Sequence, residues 1–114
     1  MPGIHAVKAD FFRALGHPAR VRILELLSAE EHNVRELQEA LGLDSSSTSQ
    51  HLAALRRQGL VESHREGTSV IYRVKDARTL QLLEVARQII TENLAESRAL
   101  HDELAAESTS PPRK

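Results

Sequence analysis

Residues 43–74 read LDSSSTSQHLAALRRQGLVESHREGTSVIYRV, and the way this stretch divides decides the fold. Its first part has helical spacing: Thr48, Leu52 and Leu55 fall on one side. Asp44 or Ser45 can cap that helix, because a short oxygen-bearing side chain accepts from the orphan N–H groups of a first turn. At about 100° per residue the other side carries Ser46, Gln50, Ala53, Ala54 and Arg57, with Ser47 beside them. This face is small and uncharged until Arg56 and Arg57. A solvated helix face usually carries Glu and Lys. A face of small hydrogen-bonding residues suits entry into a narrow space, as a helix in the major groove of a duplex requires.

Gly59 ends the helix. Leu60-Val61 and residues 69–74 read as β-rich runs, and the Gly-containing polar segment 64–68 between them predicts a hairpin. Arg65 stands at its tip, with Arg73 and Lys75 on the return strand. A polar helix followed by a basic hairpin is the arrangement of a winged helix-turn-helix, mostly α with a β-hairpin wing.

The segments upstream fit that reading. Residues 7–15 form a helix with Val7, Phe11 and Leu15 on one stripe and Phe12 beside it, stopped by Gly16. Pro18 opens a second helix, 18–28, where its missing N–H costs nothing. That helix is apolar on more than one side, through Val21, Ile23, Leu24, Leu26 and Leu27, and so belongs centrally in the core. Residues 29–33 are a polar connection. Residues 34–41 form the next helix, capped by Asn33, with Val34, Leu37 and Leu41 inward and Glu36 supporting the first turn. Gly42 breaks it, and Leu43 plugs the short turn into the core. Two short helices joined by a Gly-containing turn are a helix-turn-helix pattern.

Downstream, Asp76 caps a last helix over 77–107, with Leu80, Leu83, Ile90, Leu94 and Leu104 on its apolar stripe. About 30 residues make a rod of about 45 Å, longer than a domain this size needs. The apolar surface left over predicts a twofold partner, with the first and last helices in the interface. A long helix folding back in a monomer is the alternative. Residues 1–107 are thus expected to form one domain for binding and dimerisation, and 108–114, STSPPRK, a disordered tail.

Bulk composition sets limits. The chain has 114 residues, 40% of them hydrophobic, with Phe11, Phe12 and Tyr72 its only aromatics, so the core must be aliphatic. There is no Cys, which excludes disulfides, thiolate metal sites and cysteine nucleophiles. No apolar run is long enough to span a membrane and no signal-peptide pattern is present, so a soluble cytoplasmic protein is expected. Net charge is −1, but it is unevenly spread. In 45–75 five cations (Arg56, Arg57, Arg65, Arg73, Lys75) face two acids, whereas 76–107 holds seven acids and three arginines. One region can face phosphates while the other faces away. An enzyme finds little support: there is no Gly-rich phosphate loop, and the Ser run 45–49 lacks a paired general base.

The motifs AlaLeuGlyHisProAlaArgValArgIleLeu (14–24), Leu37 with Leu41-Gly42-Leu43, Ser49-Gln50-His51-Leu52, Leu55-Arg56, Gly59-Leu60-Val61 and Gly67 to Tyr72 occur in this order. With them the sequence resembles the ArsR/SmtB family of small bacterial repressors, over about residues 6–100. The resemblance implies a homodimer that binds a palindromic operator in double-stranded DNA and is released by an effector. It places base and backbone contacts at Ser46, Ser47, Gln50 and His51, with Arg57 on phosphate and Arg65 and Thr68 in the wing. Packing beside Leu52 and Leu55 is the other reading of His51.

Many members of that family sense metals. Its cysteine-based site on the third helix has no thiol here, since 34–37 read VREL. Its interfacial site on the last helix falls on Asp76, Arg78, Ile89 and Glu92, and only the two carboxylates can ligate. Among the histidines, His17 reads as a helix cap, His32 as solvated in its loop, and His64 as serving the wing or solvent. His5 and His101 lie on the two helices expected at the dimer interface, and with Glu92 or Glu103 they would make a nickel or zinc site across subunits. The alternatives are a metal-independent regulator answering a small molecule or partner protein, and a protein-interaction module without an operator.

Overall fold

The computed structural model describes residues 3–109. They run α1 (Ile4–Leu15), α2 (Pro18–Ala29), β1 (His32–Asn33), α3 (Val34–Leu41), α4 (Ser45–Arg57), β2 (Val61–Glu66), β3 (Ser69–Val74) and α5 (Arg78–Thr109). The chain divides into two compact units, one up to Leu80 and one from Gln81 onward.

The first unit is built on local signals that agree with one another. His17 caps α2: its Nδ1 accepts from the Ala19 N–H at 3.1 Å, and Pro18 takes the first helical position. Asn33 and Glu36 form a reciprocal capping box, each side chain accepting from the other's backbone N–H at 2.8 and 2.9 Å. The Glu36 carboxyl is held below its ordinary pKa, first by the bond from the Asn33 backbone. Asp44 caps α4 by accepting from the Ser47 N–H at 2.6 Å, and that bond likewise lowers its pKa.

Between α3 and α4 the chain turns at Gly42, whose φ of +67° is left-handed. Its N–H and that of Leu43 both return to the Gln38 carbonyl, which terminates α3. A Cβ at Gly42 would meet nothing within 4 Å, so Gly42→Ala tests backbone conformation alone. It is expected to cost about 1–2 kcal/mol of stability, read as a lower urea midpoint at unchanged slope.

The core lies where α2, α3 and α4 meet the sheet. Ile23, Leu24, Leu37, Leu52, Leu55, Leu60 and Val61 are all essentially inaccessible. Thr48 is buried among them with its hydroxyl donating to the Asp44 carbonyl at 2.8 Å, which satisfies the one polar group that this side of α4 takes inward.

The sheet differs from the expected two-stranded hairpin. It has three antiparallel strands in the order β1-β3-β2, with His32 opposite Tyr72 and Asn33 opposite Ile71. The segment read as a polar connection therefore supplies an edge strand, and His32 is not solvated: its side chain is 16% exposed. The hairpin is also tighter than expected. Residues 64–66 belong to β2, Glu66 pairs with Ser69, and only Gly67-Thr68 turn. Gly67 at φ +61° followed by a residue at negative φ is the order of a type II′ turn.

The second unit is the remainder of α5. The helix starts one residue later than expected, at Arg78, with the Asp76 carboxylate accepting from the Arg78 N–H at 2.9 Å and from its guanidinium at 2.6 Å. These bonds from Arg78 bring the Asp76 pKa down to about 2. The helix ends two residues later than expected, at Thr109, so the expected tail lies, from 110 on, outside the described residues. Val85, Ile89, Ile90, Leu94, Leu100 and Leu104 are each more than half exposed. No helix among the described residues is long and apolar enough to cross a membrane.

Candidate nucleic-acid interface

With Thr48, Leu52 and Leu55 inward, α4 presents Ser45, Ser46, Ser49, Gln50, Ala53, Arg56 and Arg57 to solvent. Ala54, assigned to the outer face on helical spacing, is instead buried, because the contact surface of α4 is broader than one stripe. Among the described residues the side chains of Ser46 and Gln50 have no hydrogen-bond partner, and both residues are exposed. Ser47 is half-buried and its N–H is used by the Asp44 cap.

Charge on the wing is sorted by its carboxylates. Arg73 donates to Glu62 at 3.0 Å, which removes it from the cations the charge count had placed there. His64 lies between Glu66 at 3.3 Å and Glu31 at 3.8 Å, so it belongs to a strand-edge cluster. Arg56, Arg57, Arg65 and Lys75 are exposed and, among the described residues, have no ion pair. Four unpaired cations thus sit on the end of α4, the wing and the end of β3. Thr68 is exposed in the turn itself.

His51 behaves unlike its neighbours on α4. It is half-buried, and its Nδ1 accepts from Arg20 Nε of α2 at 3.1 Å. Its ring stands 4.3 Å from that of His17, tilted by 49°. Burial lowers its pKa, with His17 and Arg20 acting in the same direction. His51 therefore meets a polar partner on α2 that spacing along α4 could not reveal.

The candidate metal ligands do not gather. His5 is on α1 and Glu92 and His101 are on α5. Nine residues of helix separate the last two, about 13 Å along the axis. Among the described residues no group of three or more His, Cys, Asp or Glu side chains is placed to hold a metal ion.

A helix-turn-helix with an open polar helix face, followed by a wing bearing unpaired cations, defines a winged helix-turn-helix regulator. Residues 17–63 match the model of the bacterial regulatory protein arsR family, and the chain belongs to that family. It is 41% identical over 104 residues to the HTH-type transcriptional regulator Rv0081 of Mycobacterium tuberculosis, covering 90% of this chain and 91% of the relative. The crystal structure of Rv0081 superposes with a TM-score of 0.80 over 85% of this chain and 98% of that one. The homodimeric winged helix-turn-helix DNA-binding domain Mb0332 of Mycobacterium bovis, solved in solution, is 31% identical with a TM-score of 0.75, covering 82% and 86%. A probable mercury resistance operon repressor of Streptomyces lividans is 34% identical over 76% of this chain and 70% of its own. The protein is a transcriptional regulator of the arsR family.

Proposed function

We propose that the protein is a homodimeric repressor that reads a palindromic operator with α4 and holds it with the wing. The observation that carries this is the combination on one unit of an α4 face with unused hydrogen-bonding groups and four exposed, unpaired cations. In this reading Ser46, Ser47 and Gln50 address base edges, Arg57 and Arg65 hold phosphate, and Thr68 lies against the backbone. His51 contributes through its packing. The exposed Ile4, Val7 and Phe12 of α1 and the exposed stripe of α5 are apolar surface of the kind a second chain covers.

Gel shift on promoter fragments across a salt series tests the reading. If all four unpaired cations of each of two chains reach phosphate, the slope of log K against log salt approaches about −7. The absence of any shift at low salt overturns operator binding and leaves a protein-interaction module. Sedimentation that shows a single subunit at micromolar concentration overturns the dimer.

The effector is the finer part of the proposal. A nickel or zinc ion held by His5, Glu92 and His101 would have to draw on two chains, because Glu92 and His101 are too far apart along one helix. Calorimetric titration of either metal into the dimer is expected to give a tight isotherm that His101→Ala abolishes. A flat titration favours a regulator that answers a small molecule or a partner protein.

A further inference from the structure

Arg20 lies in the first turn of α2 and His51 in the middle of α4, 31 positions apart in sequence, and the bond between them crosses the α2–α4 contact. A guanidinium has donors only. His51 Nδ1 must therefore present its lone pair to Arg20, which puts the ring proton on Nε2 and makes the ring neutral. The same logic holds for His17, whose Nδ1 accepts from the Ala19 N–H. The two rings stand 4.3 Å apart and tilted by 49°, each with its Nδ1 committed to a donor from the start of α2.

This arrangement tolerates neither a metal nor an extra proton. A metal ion on either Nε2 would send the ring proton to Nδ1, where an N–H donor already points. Protonation of His51 does the same and adds charge: an Nδ1–H would face the Arg20 Nε–H, and the imidazolium would stand beside a guanidinium and the His17 ring. The elements packed on α4 are α1, α2, α3 and β2. Among the described residues the charged or titratable groups that act on His51 are Arg20 and His17, both lowering its pKa, with no carboxylate among the causes.

We propose that His17, Arg20 and His51 form a proton-sensitive latch that seats α4 against α2, so that operator affinity falls as the medium turns mildly acid. The inference rests on α4 being the helix that reads DNA. Here His51 and Arg20 are positioning residues: they hold the helix on whose outer face Gln50, next to His51, and Ser46, five residues before it, stand.

The direction of the pKa agrees. His51 is held below its ordinary 6.5, by burial first. The unfolded chain then takes up a proton before the folded one does as pH falls. Its contribution to stability is complete above about 6.5 and is lost as pH falls through the lower folded value. The α2–α4 contact is therefore weakest in acid, the condition in which the latch is open.

The sign of the effect separates the latch from simpler behaviour. A histidine that gains charge near phosphates strengthens DNA binding in acid. The latch weakens it. The test uses the whole protein and a labelled duplex selected by it from a random pool at about pH 7.5, with affinity followed by anisotropy at constant ionic strength. Affinity is expected to fall about fivefold or more between about pH 7.5 and about pH 5.5. His51→Gln, whose amide oxygen accepts from Arg20 at any pH, is expected to flatten that profile, and Arg20→Met is expected to mute it. A wild-type affinity that is constant or rises in acid, or a His51→Gln profile as steep as wild type, overturns the latch.

Failure to select any duplex sinks the operator reading instead, and the latch is then decided on the free protein. Long-range proton–nitrogen spectra at neutral pH should show His51 and His17 with bare Nδ1 and protonated Nε2. An Nδ1–H tautomer at His51, or a ring already charged at neutral pH, overturns the latch whatever the DNA result.

Discussion

Replacing Gln50 and Arg65 together by alanine is expected to reduce operator affinity by two orders of magnitude or more, through two separable effects. Gln50 stands on the open face of α4 with a side-chain amide that has no hydrogen-bond partner among the described residues. A base contact of this kind is worth about 1–3 kcal/mol. A symmetric dimer loses it twice, once in each half-site, so the substitution costs about 2–6 kcal/mol of binding. Arg65 is different in kind. It is exposed on β2 next to the Gly67-Thr68 turn and has no carboxylate partner among the described residues, so it is expected to act on phosphate. Its loss should weaken binding evenly across sequences and make the salt dependence shallower, by about one unit per chain in the slope. Anisotropy on matched and mismatched duplexes at several salt concentrations reads both. Gln50→Ala should narrow the gap between them, and Arg65→Ala should leave it. An unchanged affinity in the double variant removes the proposed interface. A halved effect for Gln50→Ala, with normal folding, means that only one subunit reads the site. Arg73→Ala is the control, since its charge is already engaged by Glu62.

The helical frame was legible because each boundary has a local chemical cause. Asn33 with Glu36, Asp44 three residues before Ser47, His17 before Pro18, and the glycines at 42 and 59 act within a few residues of themselves, and all are visible in a linear string. The open face of α4 was legible in large part for the same reason, since Ser46, Gln50, Ala53 and Arg57 follow from helical period, whereas the burial of Ala54 depends on how widely other elements cover α4. Two features were not. β1 has two residues, too short for any alternation to show, and it exists because β3 offers a free edge beside the start of α3. Its discovery reassigns His32 from solvent to the sheet. The Arg20–His51 bond joins residues on separate helices, so it depends on how α2 crosses α4. A polar residue at half-buried helical spacing, opposite an Arg in a buried helix, was the only signal available for it. The wing fell between these cases: Gly67 marked the turn, but its width depended on how far the β2–β3 ladder zips, and composition around His64 pointed to a longer loop than forms.

Leu55→Ala should be the most damaging single change to the fold, and a matched change on α5 shows why location decides the outcome. Leu55 is fully buried on α4, a helix that packs against α1, α2, α3 and β2. Truncation removes its transfer energy and leaves a cavity that the surrounding core closes only in part, at a cost of about 2–5 kcal/mol. For a domain with about 5–15 kcal/mol in total that is a large share, and the thermal midpoint should drop accordingly, with DNA binding lost in proportion to unfolding. Leu94→Ala removes the same atoms from a side chain that is 65% exposed. In an isolated chain there is almost no burial to lose, so a monomer would hardly notice. In a dimer covered along α5, the loss appears as weaker association, and the midpoint of Leu94→Ala becomes more dependent on protein concentration than that of wild type. Melting curves over a hundredfold range of concentration therefore separate the two sites. Leu55→Ala should lower the midpoint equally at every concentration, whereas Leu94→Ala should approach wild type as concentration rises. Equal behaviour of Leu94→Ala and wild type at all concentrations would mean that the α5 stripe is covered by nothing.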